Sequence, residues 1–149
     1  MWANKIEAQE RLPKNAREVK TYYMDMEASA YVTKGAPSPM VLDRRDRGFE
    51  FVPVTHPNDV VLGEEAISKV TLDGDPLADV NIEFTPDGTR YRDDRLMQNY
   101  KTDEQGLVSF TPDRFGPWYV SADVEVPSPH ALADFVYTVR FITLEVLPK

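Results

Sequence analysis

The side chains best suited to hold a metal ion are the two histidines of this sequence, His56 and His130. Asp59 follows His56 closely, and Asp134 follows His130 at a similar spacing. An imidazole combined with carboxylates is a ligand set that suits nickel, cobalt or zinc. The sequence therefore offers His56, Asp59 and His130, with Asp134 as a further oxygen donor, as candidate metal ligands.

The same residues also fit turns. In "THPND", residues 55–59, Pro57 has a fixed φ angle, and Asn58 or Asp59 can bond its own local backbone. The other histidine follows two prolines in "VPSPHALAD", which is typical of a loop between strands. Neither histidine belongs to a short metal-binding motif, so we interpret residues 55–59 as a bend at a strand end. A shared site stays open, because two loops at the same end of the fold would bring the histidines together.

Two further polar clusters need an interpretation. Residues 90–94, "RYRDD", fit either a small-ligand site or an exposed loop with local ion pairs, and the loop requires fewer assumptions. Residues 43–47, "DRRDR", alternate basic and acidic side chains, which indicates a solvated loop rather than a phosphate site.

The composition excludes several classes of protein. The chain has 25 acidic and 17 basic residues, and its net charge of −8 argues against nucleic acid as a partner. It has no cysteine, so disulfides, thiolate catalysis and cysteine-bound zinc are excluded. No apolar run approaches the roughly 18 residues of a membrane span, and the polar residues 1–20 do not form a signal peptide.

The chain divides by its pattern into three parts. Residues 1–34 contain a helix-favouring stretch at 3–12 and, at 21–33, an alternation that predicts a strand with one buried face. Residues 35–48 contain prolines and glycines and are interpreted as a linker. Residues 49–149 then show the repeat of strand and turn that is typical of a β-sandwich of about seven strands.

The last two strands of this domain carry the clearest patterns. In "WYVSADVEV", residues 118–126, every second side chain is apolar. Burying one such side chain fully stabilises the fold by about 1.5–3 kcal/mol. The final run, 135–147, changes phase midway, which indicates a bulge or a stretch covered on both faces. We therefore predict an all-β sandwich with Trp118 and Phe110 at the centre of its core.

Two stretches resemble transthyretin-like and carboxypeptidase-regulatory sandwich modules. "LDGDPLADVNIEF" carries a G-x-P-L-x-x-A/V-x-V pattern at residues 74–82. "TDEQGLVSFTPDRFGPWYV" carries T-D-x-x-G-x-x-x-F at residues 102–110 and G-x-W/Y-x-V at 116–120. The resemblance implies a transthyretin-like, prealbumin-like or immunoglobulin-like fold, here with a short N-terminal helix and an extra strand, and it says little about activity.

Residues 20–147 are also similar to a bacterial family of domains of unknown function, through "GFEFVPVTHPNDVVLGE", "TRYRDD" and "YTVRFITLEVLP". Members are described as periplasmic components of cobalt or nickel uptake, and some are associated with outer-membrane receptors. The resemblance implies a periplasmic or secreted protein whose first domain is missing here, with residues 1–34 as the tail of that domain. It also implies a membrane transporter or an outer-membrane receptor component as a partner.

No catalytic motif supports an enzyme. The sequence has no G-x-S-x-G elbow, glycine-rich phosphate loop or H-E-x-x-H pair, and it lacks the "Y-R-G-S" ending of transthyretin-like hydrolases and the close histidines of related dioxygenases. We predict a non-enzymatic binding or interaction module linked to nickel, cobalt or other nutrient uptake. The alternatives are a direct divalent-metal binder and a structural spacer. The strand at 21–33 should join the sandwich or pair with a second copy, which would give a homodimer.

Overall fold

The computed structural model describes Glu7, residues 10–38, residues 45–129 and residues 131–149 of the chain. Nine strands and one turn of 3₁₀ helix, Thr89–Tyr91, are the elements from residue 22 onward in these ranges. The helix predicted over residues 3–12 lies largely outside the described residues. The strands are β1 (Tyr22–Ala30), β2 (Phe49–Pro53), β3 (Ala66–Leu72), β4 (Asp75–Pro76), β5 (Asn81–Pro86), β6 (Gln98–Lys101), β7 (Leu107–Phe110), β8 (Gly116–Pro127) and β9 (Phe135–Val146).

The strands form two sheets, which confirms the predicted all-β sandwich. The five-stranded sheet has the order β1-β9-β8-β5-β6. In the four-stranded sheet, β3 pairs with β2 along one side and with β4 and β7 along the other. Strands β4 and β6 are too short for an alternating pattern to indicate them. The finer resemblance to transthyretin-like modules stays a prediction.

The core lies between the sheets and is built by the apolar faces that the alternation predicts. On β8, Trp118, Val120 and Ala122 are buried. The Phe110 ring of β7 packs edge-on against Trp118 with ring centroids 4.9 Å apart, and it stacks on Phe84 of β5 at 4.2 Å. The predicted register of β8 and the central position of Trp118 and Phe110 are confirmed.

The phase change in the apolar pattern of β9 is not caused by a bulge. The strand pairs with β8 in unbroken register along all 12 of its residues. Thr138 and Val139 are neighbours on opposite faces of the strand, and both are buried. Of the two explanations that the sequence allows, the structure shows a central stretch covered on both faces.

Strand β1 joins the sandwich as an edge strand that runs parallel to β9. The expectation that its apolar side is buried is wrong, because Tyr22 and Met26 are exposed. Asp25 and Glu27 face inward instead, because a cavity rather than packed side chains separates this part of β1 from β2. The division of the chain into residues 1–34, 35–48 and 49–149 stays a prediction.

Candidate functional site

A polar cleft lies between the inward face of β1 and strand β2 of the opposite sheet. Its inner part is a cavity of about 110 Å³, and its outer part is a depression of about 410 Å³. Glu27, Tyr31 and Arg45 line both parts, so the two adjoin, and we call them together the β1 trough. The other ionisable side chains along it are Arg47, Glu50, Arg140 and, at the outer end, His56.

An ion pair between neighbouring strands forms part of the trough. Arg140 occupies an inward-facing position of β9, and its side chain is only 15% exposed. Its guanidinium lies 2.8 Å from the Asp25 carboxylate on β1 and also donates to the carbonyls of Asp25 and Val139. A charge inside a sandwich is costly unless it is paired and hydrogen-bonded. This pair therefore explains how both strands can direct charged side chains inward here.

The glutamates of the trough are already bonded within the protein. Glu27 accepts hydrogen bonds from the Arg45 guanidinium and the Ser29 hydroxyl, each at 3.4 Å. Glu50 accepts from the backbone N–H groups of Arg45 and Asp46 at 2.7 and 2.9 Å, which fixes this segment beside β2. The Glu50 carboxylate is therefore well compensated by backbone donors, whereas the contacts of Glu27 are long and weaker.

Two polar groups of the trough are available to a ligand. The Arg47 guanidinium makes no hydrogen bond or ion pair with any residue that the structure describes, and within the same ranges the Tyr31 hydroxyl makes none either. Burial and the nearby Glu27 carboxylate raise the pKa of Tyr31, so its hydroxyl stays protonated at neutral pH and can donate. A cation and a neutral donor thus line the same cavity.

His56 lies at the outer end of the trough and forms part of a turn. Its carbonyl accepts a hydrogen bond from the Asp59 N–H at 2.8 Å, which closes a four-residue turn with Pro57 at the second position. Its Nδ1 accepts from the Asn58 N–H at 3.1 Å, and its ring meets Tyr31 edge-on at 5.9 Å. Residues 55–59 therefore form the bend that the sequence indicates, stabilised by the imidazole itself.

Asn58 uses its side chain to attach this turn to the segment after β1. With the amide oriented so that both of its ends are satisfied, Nδ2 donates to the Tyr31 carbonyl at 3.2 Å and Oδ1 accepts from the Thr33 N–H at 3.2 Å. The Thr33 hydroxyl bonds to the same oxygen. These contacts hold residues 31–33 on the turn and so keep Tyr31 in the wall of the trough.

The predicted metal ligands are only partly within the described ranges. Asp59 is exposed on the turn that His56 begins, and His130 lies outside the described residues. Among the residues that are described, no group of three or more His, Asp or Glu side chains is arranged to hold a metal ion. A nickel, cobalt or zinc site built from His56, Asp59 and His130 stays a prediction.

The loop that contains "RYRDD" is held together by one arginine. The Arg92 guanidinium donates to four backbone carbonyls, those of Pro86, Asp87, Asp94 and Arg95. These bonds tie the loop between β5 and β6 to the end of β5. The structure therefore shows a loop with internal bonds, although Arg92 bonds to carbonyls rather than to the carboxylates that the sequence suggests.

These features define a two-layer β-sandwich with a polar cleft at one edge of its larger sheet. The chain belongs to the family of the domain of unknown function DUF4198, whose family model matches residues 1–126. The match contains β1 to β7 and nearly all of β8. No curated protein and no solved structure matches the chain. Within the described residues, no helix has both the length and the apolar character needed to span a membrane.

Proposed function

We propose that this domain is a non-enzymatic binding module of a periplasmic or secreted protein that serves nickel, cobalt or other nutrient uptake, and that it binds a small anion in the β1 trough. The observation that supports the trough as the binding site is that the Arg47 guanidinium and the Tyr31 hydroxyl line the same cavity and bond to none of the residues that the structure describes. Glu50 is held by two backbone donors, so it opposes an incoming anion less than a free carboxylate would.

The chemistry of these two groups favours a carboxylate or a phosphate. A guanidinium presents parallel N–H donors that match two oxygens of such a group, and the resulting bonds are stronger than neutral ones. The Tyr31 hydroxyl supplies a third donor from the opposite strand. Arg140 adds positive charge to the trough, although part of its guanidinium is bonded to Asp25.

The link to uptake and to export is supported only by the sequence resemblance to a family whose members are described as periplasmic components of cobalt or nickel uptake. The absence of catalytic motifs from the sequence supports a binding role over an enzymatic one. A membrane transporter or an outer-membrane receptor component is the partner that this proposal implies. Direct binding of a divalent metal through His56, Asp59 and His130 is the second candidate, favoured by the position of His56 at the mouth of the trough.

A titration of the full chain with inorganic phosphate and with acetate, followed by amide NMR, tests the anion proposal. We expect shifts at Tyr31, Arg45 and Arg47 in the parent and binding at least tenfold weaker in Arg47→Gln, since a bond to a charged group is lost. Arg90→Gln is the matched control, because it removes an arginine that does not line the trough. Unperturbed trough resonances, or equal affinity in both variants, would count against the site.

Calorimetric titration with nickel, cobalt and zinc at neutral pH separates the two candidates. Saturable heat that His56→Ala abolishes would support the metal binder. No heat with any of these ions removes that candidate and leaves the anion site untouched, because Arg47 and Tyr31 need no metal.

A further inference from the structure

A second polar recess lies on the opposite side of the larger sheet from the trough. It has a volume of about 210 Å³ and is formed where the loop after β5 passes over β5, β8 and β9. Tyr119 of β8 pairs with Thr85 of β5 and Thr143 of β9, so these three side chains share the outer face. We call this recess the Arg95 hollow; its lining is Thr85, Pro86, Asp87, Thr89, Arg95, Pro117, Trp118, Tyr119 and Thr143.

The loop that forms one wall of the hollow is preorganised. The four carbonyls bonded by Arg92 include those of Asp87 and Arg95, which flank the recess. Gly88 has a φ of 89°, a left-handed backbone conformation that favours glycine. The Leu96 N–H bonds to the Asp94 carboxylate at 2.8 Å. A wall that is ordered before binding costs the ligand little entropy.

The hollow presents one uncommitted cation. Arg92 fixes the carbonyl of Arg95, but the Arg95 guanidinium forms no hydrogen bond or ion pair with the residues the structure describes. Burial and the Glu83 carboxylate raise the pKa of the Tyr119 phenol, and the positive charge of Arg95 partly offsets this rise. The Tyr119 hydroxyl is therefore protonated at neutral pH, and Tyr119 lines the same recess as Arg95.

The hollow also contains a buried hydroxyl without a partner. Thr85 is only 4% exposed, and its Oγ1 has no hydrogen-bond partner in the described structure. A buried hydroxyl without a hydrogen-bond partner destabilises the fold, because it loses its bonds to water and gains none in the protein. It lies in the same recess as the Asp87 carboxylate and the hydroxyls of Thr89 and Thr143. Acceptors and donors for ligand hydroxyl groups are thus clustered beside the cation.

The remaining lining offers an apolar surface of limited extent. The Tyr119 ring stacks on Phe141 at 5.6 Å, which fixes its orientation, and the residue is 39% exposed. Pro86 and Pro117 add apolar surface to the same lining. An aromatic ring with one covered side and one accessible side is a platform for the C–H face of a sugar ring.

From these observations we infer that the Arg95 hollow binds an acidic monosaccharide, that is, a hexuronate. The carboxylate pairs with Arg95, the apolar face of the pyranose lies on Tyr119, and ring hydroxyls bond to Asp87 and Thr85. A simple anion would leave Thr85 and Asp87 unused, and a neutral sugar would leave Arg95 unused. This inference is independent of the trough, which lies on the inner face of the same sheet.

The test is an amide NMR titration of the full chain with D-glucuronate, D-glucose and propionate. Glucuronate and glucose differ in the carboxylate, and propionate lacks the hydroxyls. We expect glucuronate to shift the resonances of Thr85, Arg95 and Tyr119 and to bind about tenfold more tightly than either comparison compound. Arg95→Gln should bind glucuronate only as well as glucose, whereas the neighbouring Arg90→Gln should bind it like the parent.

A second variant tests the hydroxyl recognition separately. Thr85→Val should weaken glucuronate binding while raising the melting temperature, because it removes the unmet hydroxyl and keeps the shape. Absence of shifts in the hollow with glucuronate would overturn the inference. Propionate binding as tight as glucuronate binding would also overturn it, and so would equal affinities of the Arg95 and Arg90 variants. None of these outcomes bears on phosphate or acetate binding in the trough.

Discussion

The guanidinium of Arg140 lies 2.8 Å from the carboxylate of Asp25, and this pair joins β9 to β1 across 115 positions of sequence. Asp25 is 48% exposed at its side chain, whereas Arg140 is 15% exposed. The pair is thus intermediate between a surface ion pair, which contributes little, and a buried one, which is costly to break.

Asp25→Asn should lower the free energy of unfolding by about 1.5 kcal/mol, because it leaves the poorly exposed Arg140 charge without its counterion. Urea denaturation followed by tryptophan fluorescence measures the change. Asp79→Asn is the control, since Asp79 and Lys101 form a pair that is largely exposed. Equal effects of the two substitutions would show that the Arg140 pair is no more than a surface contact.

Asn58→Ala should detach residues 31–33 from the turn, because the three hydrogen bonds of its amide are lost. We expect faster amide exchange at Thr33 and a loss of about 1 kcal/mol in the free energy of unfolding. Asn99→Ala is the control. Asn99 lies on β6, and its exposed amide accepts a hydrogen bond from the amide of Asn81 on β5. Unchanged exchange at Thr33 would mean that other contacts hold this segment.

A charge on the inward face of β8 should prevent folding. Val120→Asp places a carboxylate at a position with 0% exposure, in the middle of the core. Ser121→Asp, one residue further along the strand on the outward face, should leave the circular dichroism spectrum and the melting transition close to those of the parent. A folded Val120→Asp variant would refute the assigned register.

Gly106→Ala should destabilise the domain strongly. A Cβ at this position would lie 2.4 Å from the carbonyl oxygen of Val70 and 3.1 Å from the nitrogen of Leu77, both of them backbone atoms. Gly48→Ala is a matched control, because Gly48 has a similar φ of 68° but nothing within 4 Å of the added atom.

The control should cost about 1–2 kcal/mol from the left-handed backbone alone, and Gly106→Ala should cost at least twice as much. Denaturant unfolding of both variants measures the difference. Equal losses would mean that the neighbouring strands move apart without penalty.

The sequence predicts the sandwich well because its longest strands carry apolar side chains on one face, which must be buried. The alternation from Trp118 to Val126 and the turns rich in aspartate and glycine are local signals, and the structure follows them. Residues 102–106 do not close a hairpin, because β6 and β7 belong to different sheets. These residues do form a turn, in which the Asp103 carboxylate accepts hydrogen bonds from the N–H groups of Gln105 and Leu107. A turn, however, does not specify which sheet the next strand enters.

The trough could not be predicted from the sequence. Its residues come from β1, β2, β9 and the segment before β2, and only the parallel pairing of β1 with β9 brings Glu27 beside Arg140. Alternation within β1 indicates which side chains share a face, but not which face is covered. The sequence does single out His56, for its rarity, and the cluster of residues 43–47, which contains Arg45 and Arg47. It indicates a solvated loop for that cluster, whereas both arginines line the trough.

The parallel docking of β1 on β9 has a consequence for the order of events as the protein is made. The ribosome releases β1 long before β9, so the earlier strand waits for its neighbour until all the intervening strands have emerged. Pairings between such distant segments form slowly because a long loop must close first. Until β1 has docked, β9 is the open edge of the larger sheet, so part of its backbone stays unpaired until this pairing forms.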